Sequence, residues 1–291
     1  MKPAPFRYHR PETLDETLAL LAEIGDDAAV LAGGQSLVPV LALRLASPAH
    51  VVDVNRVPGL DVIAANGSLA LGALVRQQAA CVAQAVRSSQ PLLAEALPLV
   101  GHRETRGRGT VVGSLAHADP AAELPTVAVA LDAEIALASC RGVRTVPAAE
   151  FFLAPFMTAR APDELVTEVR FPAWPAGAGH AFLEFARRSH DFALAAVAVL
   201  LQLDADGAVA GARLAFAGVG STPVRADGAE DALHGQPAGE ESFRAAAEAA
   251  VAVLDPPSDV LASAAYRRHV ARVLLIRALR QAAERAREER A

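Results

Sequence analysis

The stretch that decides the fold is residues 28–54, which read AAVLAGGQSLVPVLALRLASPAHVVDV. Short apolar runs at 28–31 and 51–54 predict two buried strands. Apolar residues at helical spacing over 37–45 predict a helix between them. The segment is therefore predicted to form a β-loop-α-β unit whose first loop, 32–36, is rich in glycine.

The loop Gly33-Gly34-Gln35-Ser36 has the composition of a diphosphate cradle. Glycine adopts positive φ and lets an anion approach the backbone, and the helix that follows presents free N–H groups. Ser36 adds a hydroxyl donor. For an isolated Gly-Gly, an ordinary tight turn is the more frequent explanation. The G-x-G-x-x-G fingerprint is absent, which argues against a Rossmann-type NAD site.

A second glycine-rich segment, 101–113, is predicted to be a loop. From Arg103 to Ser114 it combines three arginines, three glycines and small hydroxyl residues. Taken alone, it is either a second anion-binding loop or a solvated basic turn. Two such loops in one domain can embrace the two phosphates of a long dinucleotide from opposite sides, which favours a flavin site.

Composition excludes several other classes of protein. The chain has 291 residues, with 27 Lys and Arg against 33 Asp and Glu, so its formal net charge is −6. A mildly acidic chain has no general attraction for nucleic acid or anionic lipid. No long apolar run predicts a transmembrane helix, and prolines near the start disfavour a signal peptide, so a cytoplasmic location is expected.

The residues of other common sites are missing. Two isolated cysteines, Cys81 and Cys140, are too few for a disulfide framework or an iron–sulfur cluster. The single lysine, Lys2, excludes a Walker A loop. The histidines do not cluster, so no metal site is predicted, and no residue is assigned a catalytic role.

Taken in order, the motifs resemble the FAD-binding medium subunit of molybdenum hydroxylases, a family that includes carbon monoxide dehydrogenase and the FAD-binding part of xanthine dehydrogenase. The matching segments occur in the expected order and are spread along nearly the whole chain: 32–39, 44–46, 52–55, 108–125, 164–167, 187–193, 266–268 and 277–279.

The resemblance implies an α+β fold with two domains. The first, 1–174, is a two-lobed FAD-binding domain of the vanillyl-alcohol-oxidase/MurB-like type, with lobes of about 1–57 and 58–174. A Pro- and Gly-rich segment, 172–179, separates it from a small C-terminal α+β domain with an antiparallel sheet, 178–291.

The same resemblance implies FAD as the cofactor on this chain, with its diphosphate between the two glycine loops. Glu123 takes the place of an acidic residue that contacts the flavin nucleotide, and Asp119 is a weaker candidate in the same segment. The implied FAD-binding residues are Ala32, Gly33, Gly34, Gln35, Ser36, Thr110, Gly113, Ser114, Asp119 and Glu123.

One position departs from the family's pattern. Where the family has Gly-Gly, this chain has Val112-Gly113. A β-branched side chain resists positive φ and crowds a ligand that approaches the backbone. Either the loop uses ordinary φ there and keeps FAD, or its affinity is reduced. On steric grounds, Val112→Gly is expected to tighten FAD binding.

By resemblance, the chain is a flavin-carrying electron-transfer subunit that is inactive on substrate alone. Substrate is oxidised at molybdenum in a large molybdopterin subunit, electrons pass through iron–sulfur clusters in a small subunit, and FAD delivers them to an acceptor. Molybdopterin and the clusters are expected only on these partners. The alternatives are a structural or assembly subunit with a weakened FAD site, and a self-sufficient flavin oxidase.

Overall fold

The computed structural model describes residues 2–290, so the end positions 1 and 291 of the expected domain ranges lie outside it. The chain begins with a small parallel sheet in the strand order β1-β3-β2. Its strands are β1 (Arg7–His9), β2 (Ala28–Leu31) and β3 (His50–Asp53).

Two helices complete this first lobe. Helix α1 (Leu14–Ile24) begins after Thr13, whose hydroxyl oxygen accepts a hydrogen bond from the Glu16 N–H at 3.1 Å. A 3₁₀ turn, Gly25–Asp27, follows it, and helix α2 (Leu37–Ala42) joins β2 to β3. The predicted β-loop-α-β unit is confirmed.

An antiparallel sheet of five strands forms the second lobe, in the order β4-β5-β10-β6-β7. Its strands are β4 (Ile63–Ala65), β5 (Leu69–Gly72), β6 (Glu134–Ser139), β7 (Gly142–Pro147) and β10 (Leu165–Phe171). A short hairpin, β8 (Phe152–Ala154) and β9 (Met157–Thr158), precedes β10.

Short helices pack around this sheet. They are α3 (Gln77–Val82), α4 (Gln84–Ser89), α5 (Pro91–Ala96), α6 (Arg103–Arg108), α7 (Val111–His117), α8 (Glu123–Ala130) and α9 (Ala148–Phe151). A 3₁₀ turn, Leu97–Leu99, follows α5.

The expectation of a loop over 101–113 is wrong. Most of the segment is helix α6 and the start of α7. Arginine, glutamate and threonine are compatible with a short helix. The single interior glycine, Gly107, lowers the stability of the helix by about 1 kcal/mol relative to alanine. Helix α6 is polar because none of its residues is buried, whereas residues 109–112 are buried.

The C-terminal part contains an antiparallel sheet, as predicted. It has four strands in sequence order: β11 (Gly179–Ala186), β12 (Ala193–Leu203), β13 (Val209–Ala217) and β14 (Val224–Arg225). Helices α10 (Asp227–Leu233), α11 (Glu240–Val253) and α12 (Ala264–Glu288) accompany it. No helix within the described residues is long and apolar enough to cross a bilayer.

The two faces of this last sheet bury different partners, because successive side chains on a strand point in opposite directions. Ala181, Val197 and Val199 share a core with helices α10 to α12. Phe182 and Ala198, on the other face, join the core of the first two lobes. The α+β architecture with an antiparallel C-terminal sheet, expected from the sequence, is therefore confirmed.

Candidate functional site

The two glycine loops come from different sheets and meet at Gly33. A Cβ atom placed on Gly33 would lie 2.5 Å from the carbonyl oxygen of Arg108 and 2.7 Å from the Cα atom of Gly109. Both atoms belong to the backbone, which can shift only at a high cost in free energy. Gly33 is therefore glycine because the second loop occupies the place of its side chain.

The first loop offers a row of backbone donors. Within residues 2–290, no group accepts a hydrogen bond from the N–H of Gly33, Gly34, Gln35 or Ser36. Gly34 has φ +73°, a conformation that other residues adopt only under strain. Consecutive free N–H groups around such a turn form an anion-binding concavity.

The second loop is ordered by the cap of helix α7. The Thr110 hydroxyl oxygen accepts a hydrogen bond from the Gly113 N–H at 2.9 Å. A Cβ on Gly113 would lie 2.5 Å from that same oxygen, so any other residue here disturbs the cap. The Ser114 hydroxyl has no hydrogen-bond partner among the described residues, and the same is true of the Ser36 hydroxyl.

Val112 does not face the loop. It lies in the first turn of α7, its φ is not in the left-handed region, and its side chain is 2% exposed within the hydrophobic core. The steric expectation that Val112 crowds the ligand through restricted φ is therefore wrong. The sequence left open whether the backbone at Val112 adopts an ordinary φ, and the structure shows that it does.

Asn55 and Arg76, which the site analysis from sequence missed, connect the two loops. The side-chain amide of Asn55 donates to the Ala32 carbonyl at 2.8 Å. The Arg76 guanidinium donates to the Arg108 carbonyl at 2.8 Å and to Asn55 Oδ1 at 2.5 Å. Asn55 follows a predicted strand at its carboxyl end, which is a usable signal. Arg76 has no such sequence signal, because nothing distinguishes it from the many other arginines of the chain.

Asp119 and Glu123 lie beyond the far end of helix α7, whose seven residues span about 10 Å. Asp119 Oδ1 accepts a hydrogen bond from the Ala121 N–H at 2.9 Å, which closes a turn. Glu123 opens helix α8 and is 8% exposed. Burial, together with the charge of Asp119, raises the pKa of Glu123 to about 7.

Glu184 of strand β11, in the C-terminal sheet, adds a third carboxyl group to Asp119 and Glu123. It pairs in register with Ala196, which belongs to the core of the first two lobes, so its side chain faces those lobes. Its Oε2 atom is buried without a hydrogen-bond partner. Burial, together with the charge of Glu123, raises the pKa of Glu184 to about 7.

Chemically, the two loops suit a diphosphate. Both contribute N–H or hydroxyl donors, and neither residues 32–36 nor residues 110–114 include an acidic side chain. The first loop directly precedes α2, and residues 110–114 form the cap and first turn of α7. The residues present therefore fit the expected FAD diphosphate. The structure brings the first and second loops together, whereas Asp119 and Glu123 stand about one helix length further along.

Comparison with known proteins extends over nearly the whole chain. Residues 4–174 match the family described as the FAD binding domain in molybdopterin dehydrogenase, and residues 180–282 match the CO dehydrogenase flavoprotein C-terminal domain. The 6-hydroxypseudooxynicotine dehydrogenase complex subunit alpha of Paenarthrobacter nicotinovorans is 42% identical over 99% of this chain and 97% of its own length.

The medium chain of carbon monoxide dehydrogenase is also similar to this chain over nearly its whole length. The medium chain from Hydrogenophaga pseudoflava is 37% identical over 97% of this chain and 98% of its own length. A solved structure of that enzyme, lacking the Mo-pyranopterin moiety of the molybdenum cofactor, superposes with a TM-score of 0.95 at 38% identity. The superposition covers 98% of this chain and 99% of that chain.

The position of Val112 reverses the expectation for Val112→Gly. Loss of a buried valine and gain of a helical glycine should lower the free energy of unfolding by about 2–3 kcal/mol. FAD binding, measured where both proteins are folded, should become no tighter. Chemical denaturation and fluorescence titration of the two proteins check this, and tighter binding of FAD by the variant would restore the steric view.

The raised pKa values predict a pH dependence of stability. In the unfolded chain both glutamates titrate near 4.5, whereas in the folded protein they hold their protons up to about pH 7. Between these values the folded state binds more protons, so the contribution of the pair to stability falls as pH rises and levels off above pH 7. His180, whose pKa burial lowers to about 4, gives an opposite slope in the same range.

The comparison with Glu184→Gln isolates the pair, since His180 is common to both proteins. The variant should lose less stability than the parent between pH 4.5 and 7, because one of the two glutamates with a raised pKa is gone. Denaturation midpoints at several pH values measure this, with the exposed Glu134→Gln as control. Parallel pH curves for parent and Glu184→Gln would contradict the raised pKa of Glu184.

Proposed function

Because the chain belongs to the family of FAD-binding medium subunits of molybdenum hydroxylases, we propose that it carries electrons from the iron–sulfur clusters of a partner subunit to an external acceptor. As a member of that family it is an oxidoreductase subunit. FAD, when bound, supplies the redox chemistry, and the chain's own residues supply binding and orientation.

The binding residues we propose are those that the sequence singled out. Loop 32–36 donates its free N–H groups and the Ser36 hydroxyl to the diphosphate, and the second loop contributes through Thr110, Gly113 and Ser114. Glu123, and more weakly Asp119, contact the nucleotide further along. The observation that carries this assignment is a row of N–H groups with no acceptor within residues 2–290, on a loop whose Gly33 lies against Arg108 and Gly109 of the second loop.

The proposed partners are a large molybdopterin subunit and a small iron–sulfur subunit. The similar proteins bear the names of complex subunits and medium chains. A cluster takes four thiolates, whereas this chain has Cys81 and Cys140 alone, so clusters must be supplied in trans. We also propose that the chain does not turn over substrate by itself, as expected of a medium subunit. We retain the proposed domains, 1–174 and 178–291.

The alternative of a structural subunit with a weakened FAD site rested on Val112. Since that side chain lies in the core, no feature of the described residues now favours this alternative. It becomes the outcome that a failed FAD-binding experiment would support.

The first loop is tested by Gly34→Ala. Alanine at φ +73° is strained, and its Cβ would lie 3.1 Å from Leu31 Cδ1 and 3.2 Å from Val38 Cγ2. Shifting the loop should weaken FAD binding about tenfold, which corresponds to about 1.4 kcal/mol. Fluorescence titration of the FAD-free full chain measures the dissociation constant.

Gly67→Ala is the matched control. Gly67 has φ +79° with open space around its Cβ position, and it lies in the turn between β4 and β5. It should show similar backbone strain with unchanged FAD affinity. Equal FAD affinities for both variants would overturn the assignment of the first loop.

Electron transfer is tested in the assembled complex. Complexes with the parent chain or Gly34→Ala, the latter washed free of FAD, are reduced with dithionite and mixed with NAD, a soluble quinone or oxygen. Cluster absorbance should recover quickly only with FAD present, and added FAD should restore the rate to the washed complex. Equal recovery without FAD would contradict an electron-transfer role for this subunit.

A further inference from the structure

The two glycine loops adjoin strands of different sheets. Of the two glycines in the first loop, only Gly33 lies against the backbone of the second loop. Loop 32–36 follows β2 of the parallel sheet, whereas 108–110 leads into α7 beside the antiparallel sheet. A contact of this kind sets a minimum separation but does not prevent the loops from moving apart. Something else must hold them together.

The second loop is fixed to the chain just after β5. Arg76 and Thr110 form an antiparallel bridge, the Gln77 N–H donates to the Gly109 carbonyl at 2.9 Å, and the Val111 N–H donates to the Val75 carbonyl at 3.0 Å. Backbone bonds therefore lock 109–111 to 75–77. None of these bonds reaches the first loop.

The first loop is held from the other side by Asn55. Its side-chain amide donates to the Ala32 carbonyl at 2.8 Å and to Asp53 Oδ1 at 2.6 Å. The Asn55 N–H also donates to Asp53 Oδ1, at 2.9 Å. These bonds fix the orientation of the amide, so that its carbonyl oxygen is left to accept a bond from elsewhere.

Arg76 supplies that bond. One guanidinium nitrogen donates to Asn55 Oδ1 at 2.5 Å and another to the Arg108 carbonyl at 2.8 Å. The planar guanidinium presents two donors at a fixed angle, which the single ammonium of lysine does not reproduce. Ala32, Asn55, Arg76 and Arg108 thus form one continuous chain of hydrogen bonds from loop to loop.

We propose that Arg76 is a positioning residue that, acting through Asn55, holds the two glycine loops at the separation required to enclose the FAD diphosphate. The inference rests on the proposed assignment of these loops to FAD. The connection between the loops, however, is a property of the chain without any ligand, so the two can be tested separately.

The test uses the full chain freed of FAD, with variants Arg76→Lys and Asn55→Ala. Hydrogen–deuterium exchange is followed in peptides containing Val38, whose N–H bonds to the Gly34 carbonyl, and Gly109, whose N–H bonds to the Thr105 carbonyl. Both variants should speed exchange in these peptides and leave peptides from β12 unchanged. A uniformly weakened fold would instead speed exchange everywhere.

The dissociation constant for FAD is measured on the same proteins. Each variant should raise it about tenfold, and the double variant should raise it little further, because both changes break one hydrogen-bonded chain. The matched control is Arg160→Lys, an arginine of the same domain that donates to the carbonyls of Ala161, Pro162 and Glu164. It should change neither loop exchange nor FAD affinity.

The outcomes separate the two hypotheses. Unchanged exchange in both loop peptides would overturn the positioning role of Arg76, whatever happens to FAD affinity. Faster loop exchange with unchanged FAD affinity would confirm the connection and overturn the assignment of these loops to FAD. If Arg76→Lys does not fold, Asn55→Ala alone decides, since it breaks the same chain and keeps Arg76.

Discussion

The backbone of Gly33 lies so close to the backbone of Arg108 and Gly109 that a methyl group has no room between them. This contact places a loop from a parallel sheet against a loop from an antiparallel one. Each loop alone is a short turn before a helix of six or seven residues. Placed together, they direct N–H and hydroxyl donors to one region, where a group with two phosphates gains more than a single helix end offers.

The C-terminal sheet completes the far end of the same site. Its Gly218 N–H donates to the Pro120 carbonyl at 2.8 Å, and Glu95 of α5 pairs with Arg285 of α12 at 2.7 Å. The face that carries Glu184 thereby lies close to Glu123, whose charge helps to raise the pKa of Glu184. Burial is also the main cause of the raised pKa of Glu123.

Features with local signals could be predicted from sequence. The strands that flank the glycine loop and the helix between them each depend on neighbouring residues. The same holds for the glycines and serines proposed for the site. Sheet pairing does not: β5 pairs with β10, whose residues lie about a hundred positions away. Arg76 could not be predicted for that reason, since its importance comes from contacts made only after folding, whereas the position of Asn55 after a predicted strand is a local signal.

The valine at 112 shows which glycines in such a loop are required and which are not. At Gly33, Gly34 and Gly113 the requirement is geometric: the backbone of Arg108 and Gly109, a φ of +73°, and the Thr110 oxygen respectively leave no place for a relaxed side chain. At 112 the helix directs the side chain into the core, where valine buries apolar surface that glycine lacks. Replacing glycine there costs the cradle no donor, because Val112 keeps its N–H. A departure from a family's pattern therefore weakens a site only where the backbone itself demands glycine.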